Sequence, residues 1–140
     1  MKARILSLAV IVLLSVAGVY ASNSKTKIYS NADNKTKEYT FVDSETLKAL
    51  KKMVYSYDSE GTLQEKSLYV WDDTQGWTGI QKYSYNYDAD KLVTIIYTKW
   101  DKNIATWSAT SQHILHTYNT DGELLAVEQI EVKDNLIAAQ

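Results

Sequence analysis

The hydrophobic and polar positions of the chain alternate. In Lys82-Tyr-Ser-Tyr-Asn-Tyr-Asp88 the aromatic residues fall two apart, so Tyr83, Tyr85 and Tyr87 share one face of an extended strand while Lys82, Ser84 and Asn86 share the other. Comparable runs, rich in Tyr, Trp, Ile, Val and Thr, occupy residues 35–42, 47–57, 62–71, 77–87, 92–101, 106–118 and 123–132. Polar clusters led by Asp43, Asp58, Asp72, Asp88, Asp101 and Asn119 interrupt them. Asx side chains accept hydrogen bonds from the backbone about two residues on, which starts turns. Short turns make consecutive strands antiparallel neighbours. The pattern predicts an all-β fold, an antiparallel meander of about seven long strands.

Two strands and their turns make a longer unit, since Tyr57-Asp58, Tyr87-Asp88 and Tyr118-Asn119 recur at nearly constant spacing. The run 92–101 is apolar on both faces, with Ile95 and Tyr97 on one and Leu92, Ile96 and Trp100 on the other. A sheet covered on both sides, sandwich-like, or a single sheet curled on itself would account for that. Trp77 to Tyr87 spans ten positions and Trp107 to Tyr118 eleven, so one of the two strands breaks parity through a β-bulge. Residues 44–52, SETLKALKK, also fit a helix, with Leu47 and Leu50 at i, i+3 and Ser44 as cap. The symmetry of the repeat favours a strand there.

The N-terminus reads differently. Lys2 and Arg4 precede an apolar run, Ile5 to Val19, that ends in Val-Tyr-Ala21, the form of a secretory signal peptide. Interrupted by Ser7 and Ser15, the run is short for a stable membrane anchor. The expected organisation is a signal peptide over 1–21, a lead-in over 22–34 and one β domain over 35–140, exported to the periplasm or beyond. The chain has no cysteine, so neither a lipid anchor on Cys nor a disulfide is available. Lys2 and Arg4 leave with the signal, so the mature protein is more acidic than the whole chain at −2, which argues against a nucleic-acid partner.

The Tyr-Ser-Tyr-Asp-Ser-Glu-Gly-Thr-Leu rhythm of 55–63 resembles the tyrosine–aspartate repeats of large secreted bacterial shell proteins, where it marks strand, turn, strand. The stretch TIIYTKWDKNIATWSATSQ, residues 94–112, resembles a family of small secreted proteins of gut Bacteroidetes, a domain of unknown function. The resemblance implies export and an antiparallel β fold. It implies no activity and transfers no catalytic residue.

Alternate turns of a meander lie at opposite ends of the sheet. Trp71 and Trp77 flank one turn and Trp100 and Trp107 the next at the same end, so all four tryptophans should gather there on four adjacent strands. They either pair across strands to close hairpins or form an aromatic platform for sugar rings or a protein. Tyr83 and Tyr85 on the tyrosine ladder carry the same two readings. Metal ligation is not expected. Asp58 and Asp88 stand two strands apart, and His113 and His116, three apart, point to opposite faces. Ser111 shares a face with His113 but has no nucleophile elbow or oxyanion loop. No cofactor motif occurs. The reading is a non-enzymatic module that binds a polysaccharide or protein partner through aromatic residues. The alternatives are a glycan-active or other hydrolase using sheet carboxylates, and a structural module paired along its edge strands into a homo-oligomer.

Overall fold

Aspartate side chains set the corners. Asp43 Oδ1 accepts hydrogen bonds from the backbone N–H of Glu45 at 2.9 Å and Thr46 at 2.8 Å, and Asp58 Oδ1 from those of Glu60 and Thr62. Asp72 does the same for Thr74 and Gln75, Asp101 for Asn103, and Asn119 for Glu123. At Asp43 and Asp72 these donors hold the exposed carboxyl below the usual carboxylate range. Backbone donation from Thr46 acts most on Asp43, and the Thr74 hydroxyl most on Asp72.

Between the corners the chain is extended. The fold is a computed structural model describing residues 25–133, and the signal-peptide reading of 1–21 lies outside them. Eight strands follow one another: β1 (Thr26–Ala32), β2 (Thr36–Asp43), β3 (Ala49–Tyr57), β4 (Leu63–Asp72), β5 (Gly76–Asp88), β6 (Lys91–Asp101), β7 (Thr106–Tyr118) and β8 (Leu124–Lys133). They form one open sheet in sequence order, every neighbouring pair antiparallel. The meander is as the alternation predicts, with eight strands in place of seven. The additional one is β1, inside the stretch 22–34 read as a lead-in. Asp33 makes its corner by accepting from the backbone of Lys35 and Thr36. The segment 44–52 turns and enters β3 instead of forming a helix, and Leu47 sits at φ 57°, outside the helical region.

The sandwich-like alternative does not describe this sheet, because the eight strands form one layer. Val42 is the one buried hydrophobic residue among those described, and Lys66, Ser67, Thr98 and Ser111 are the buried polar ones. Stability therefore rests on the ladder and on side chains lying along two half-covered faces. The edges are open. Every residue of β1 is exposed, and all but one of β8.

The repeat has a structural cause at the end of the sheet holding the 58, 88 and 119 turns. The register shifts beside Tyr57, Tyr87 and Tyr118, leaving Gln64, Val93 and Leu125 as extra residues on the partner strands. Two of these tyrosines reach the neighbouring hairpin. The Tyr87 hydroxyl donates to the Leu63 carbonyl at 2.9 Å and the Tyr118 hydroxyl to the Leu92 carbonyl at 2.7 Å. One hairpin is thus tied to the one before it. The bulge at Val93 also brings Leu92 opposite Tyr87, on the tyrosine face, reversing the face expected from simple alternation.

Candidate functional site

Two faces of one sheet carry the candidate residues. At the end away from the Tyr87 corner, Trp71 pairs with Trp77 across β4 and β5, and Trp100 with Trp107 across β6 and β7. The rings meet edge to face, with centroids 5.3 Å apart in the first pair and 5.0 Å in the second. Tyr69 meets Trp107 at 6.0 Å, and Lys52 Nζ lies over both the Tyr69 ring at 5.5 Å and the Trp77 ring, which links the two pairs. All four tryptophans gather at one end as the spacing predicts. Two lysines lie along the same face. Lys52 Nζ stands 4.6 Å from the Trp77 ring centroid and Lys82 Nζ 5.1 Å from that of Trp107. Each reaches a carboxylate at 4.0 Å, Glu38 for Lys52 and Glu65 for Lys82.

Gly79 makes room for the cluster. It is buried opposite Tyr69, and the indole of Trp100 lies on it so closely that a Cβ would clash with the ring atoms Cε3 and Cδ2. The next residue, Ile80, is the extra residue of a bulge, since Tyr69 faces Gly79 while Leu68 faces Gln81. This is the parity break that the ten-versus-eleven spacing requires, and it falls in β5. Its consequence is that Trp77 and Tyr83, six positions apart, lie on opposite faces. The structure therefore brings Trp71, Trp77, Trp100 and Trp107 together and sets Tyr83 and Tyr85 on the other side of the sheet.

On that other side the tyrosines pack in rows. Tyr39 meets Tyr55 edge to face at 5.9 Å, and Tyr83 meets Tyr97 at 5.1 Å. Burial, with the neighbouring Tyr87, Tyr83 and Tyr55 hydroxyls behind it, pushes the Tyr85 phenol from 10.0 up to about 12. A raised folded-state value gives stability that is complete below the ordinary phenol range and is lost as pH climbs through the raised value. The melting temperature is therefore expected to fall between pH 10 and about 12, with one phenol titrating last by ultraviolet absorbance. Tyr85→Phe should remove that late step and flatten the fall. Phenols that all titrate together in the folded protein would contradict the burial of Tyr85.

The histidines do not converge. His113 pairs with Ile96 and His116 with Val127, on opposite faces. Ser111 Oγ and His113 Nε2 are 3.0 Å apart, the contact their spacing allows, and Ser111 is only 6% exposed. Among the described residues no group of three or more His, Asp or Glu side chains is placed to hold a metal ion. Sequence reasoning missed Lys66, which is buried in the middle of the tyrosine face at 7% exposure. The available signal was a lysine on β4 at the polar-looking positions Gln64 to Lys66, flanked by tyrosine strands on both sides.

Residues 1–123 match the family of unknown function DUF3836. No curated protein matches the chain. Among solved structures, the chain is similar to a DUF3836 family protein from Parabacteroides distasonis at 18% identity and a TM-score of 0.44, over 81% of this chain and 94% of that one. It is also similar to a DUF3836 family protein from Bacteroides vulgatus at 14% identity and a TM-score of 0.49, over 79% of this chain and all of that one. A protein of unknown function from Bacteroides fragilis gives 14% identity and a TM-score of 0.45, over 79% of this chain and 93% of that one.

Proposed function

Because the chain belongs to the DUF3836 family, to which no activity is assigned, we propose its role from the sheet itself: an exported, non-enzymatic module that binds a polysaccharide at the tryptophan end. The observation that carries this reading is Trp71. It stands at the rim of the four-tryptophan cluster, 39% exposed, with its ring fixed edge to face by Trp77. A held indole offers flat apolar area at little cost in side-chain entropy, which suits the apolar face of a sugar ring. Polar groups stand at the same end, where the ion pair of Lys48 and Asp73 joins two of its three turns, 44–48 and 73–75. The tryptophans behind Trp71 support it and are themselves largely covered by one another and by Lys52 and Lys82.

The test is acrylamide quenching of tryptophan emission during titration with a panel of neutral polysaccharides. The expected result is quenching relieved by one of them, and a loss of at least about tenfold in affinity in Trp71→Ala, the size of one well-placed aromatic contact at ~1.4 kcal/mol. Quenching that no polysaccharide changes, or a Trp71→Ala protein that binds like the parent, overturns the reading.

A further inference from the structure

The tyrosine side of the sheet differs from the tryptophan side in charge. On the tryptophan side the strand lysines Lys52 and Lys82 have carboxylate partners, Glu38 and Glu65. On the tyrosine side, away from the turns, the register of β2 to β6 places lysines and no acidic residue. One row runs straight across five strands: Lys37 faces Tyr55, Tyr55 faces Lys66, Lys66 faces Tyr83, and Tyr83 faces Tyr97. Charge and ring alternate from Lys37 to Tyr83, and the two lysines stand two strands apart, ~9.6 Å at the usual strand spacing.

Lys66 is the centre of that row. Its residue is 7% exposed, and its Nζ lies 5.7 Å from the centroid of the Tyr55 ring. Beside it is a cavity of about 10 Å³ lined by Met53, Leu68, Gln81 and Tyr83, room for roughly one water. Lys66 has neither a carboxylate nor a hydrogen-bond partner among the described residues, whereas the one polar side-chain atom sealed from solvent without a partner is His116 Nδ1. The Lys66 stem is therefore covered while its ammonium can still be reached, as a snorkelling lysine arranges itself. Desolvation lowers its pKa, as expected of a cation short of counter-charge. Burying a cation without a counter-ion costs stability, and an apolar side chain of the same length would serve a purely structural position better.

We propose that this row is a second binding site, for a carboxylate-bearing polysaccharide lying across the strands, with a uronate carboxylate on Lys66, another on Lys37, and sugar rings on Tyr55 and Tyr83. Single-stranded nucleic acid would offer the same alternation of charge and ring, but the acidic balance of the whole chain disfavours a polyanion that needs a broadly basic surface. A uronate chain needs only the local row. The site lies on the opposite face from Trp71 and does not depend on the tryptophan reading.

The experiment is affinity electrophoresis and calorimetry of the full chain with polygalacturonate, highly methyl-esterified polygalacturonate, dextran sulfate and a single-stranded oligonucleotide. Polygalacturonate is expected to bind and the esterified polymer, with the same rings and little charge, to bind at least tenfold more weakly. Lys66→Gln should lower polygalacturonate affinity at least tenfold, and Lys102→Gln, which removes one charge from an exposed turn, should not. Lys66→Met should melt at or above the parent temperature. Equal binding of the esterified polymer, stronger binding of dextran sulfate or the oligonucleotide, or full affinity in Lys66→Gln overturns the proposal. So does a Lys66→Met protein that melts lower or fails to fold, because Lys66 would then be structural.

Discussion

Gly79→Ala is expected to destabilise the protein by about 1–3 kcal/mol, the usual cost of forcing a methyl group into packed surroundings. In an ordinary strand the same change helps, because glycine loses more conformational freedom on folding than alanine, by about 0.5–1 kcal/mol. The backbone at Gly79 is not among the positive-φ positions, so alanine meets no dihedral penalty there. The sign is reversed by Trp100 alone, whose indole occupies the place of the missing side chain. Trp100 cannot move off without leaving Trp107, 5.0 Å away, and Trp107 in turn holds Tyr69. A urea midpoint for Gly79→Ala equal to or above the parent would mean that Trp100 swings aside freely and that the cluster is loose. Gly61→Ala is the internal comparison. A Cβ there meets nothing, so its cost comes from φ of +82°.

Much of this arrangement was legible in the sequence, and the exceptions have physical causes. Asp43, Asp58, Asp72, Asp101 and Asn119 announce the corners because an Asx side chain caps its own turn, and the structure shows each bond. Asp88 marks its corner without such a bond among the described residues, the turn there being made with Ala89 at φ 51°. The tryptophan cluster follows from turn order alone. Its separation from Tyr83 and Tyr85 does not, because one inserted residue, Ile80, flips the face of everything after it. The odd spacing showed that a bulge existed without showing which strand carried it. Strand β1 left no signal because Thr26-Lys-Ile-Tyr-Ser-Asn-Ala32 buries nothing. It is held by its ladder to β2, with Tyr29 opposite Thr40, and a strand without an inner face has no hydrophobic period. Strand β6, apolar on both sides, suggested a second layer. The sheet instead covers itself with rings and lysine stems, which periodicity cannot distinguish from a packed partner sheet. Lys66 escaped notice because a lysine in a strand ordinarily faces water.

Trp107→Ala is expected to cost about 2–3 kcal/mol, more than any other tryptophan truncation in the chain. Truncating a fully buried Trp costs 3–5 kcal/mol, and Trp107 is half-buried, which lowers that range. Its contacts raise it again. Trp107 meets Trp100 at 5.0 Å and Tyr69 at 6.0 Å, each edge-to-face pair adding about 0.5–1.5 kcal/mol beyond area, and the Lys82 ammonium stands 5.1 Å from its ring. Trp71 has one ring partner, Trp77, and leaves 39% of its surface to solvent, so Trp71→Ala should cost about 1 kcal/mol. The two variants thus separate the two meanings of an aromatic cluster on a single-layer sheet. If Trp107 does the packing and Trp71 the binding, urea denaturation ranks Trp107→Ala well below Trp71→Ala, while polysaccharide titration at a concentration of folded protein ranks them in reverse. A Trp107→Ala protein within about 0.5 kcal/mol of the parent, the scatter of ordinary surface substitutions, would remove the structural reading of the inner tryptophans and leave all four free to act as one platform.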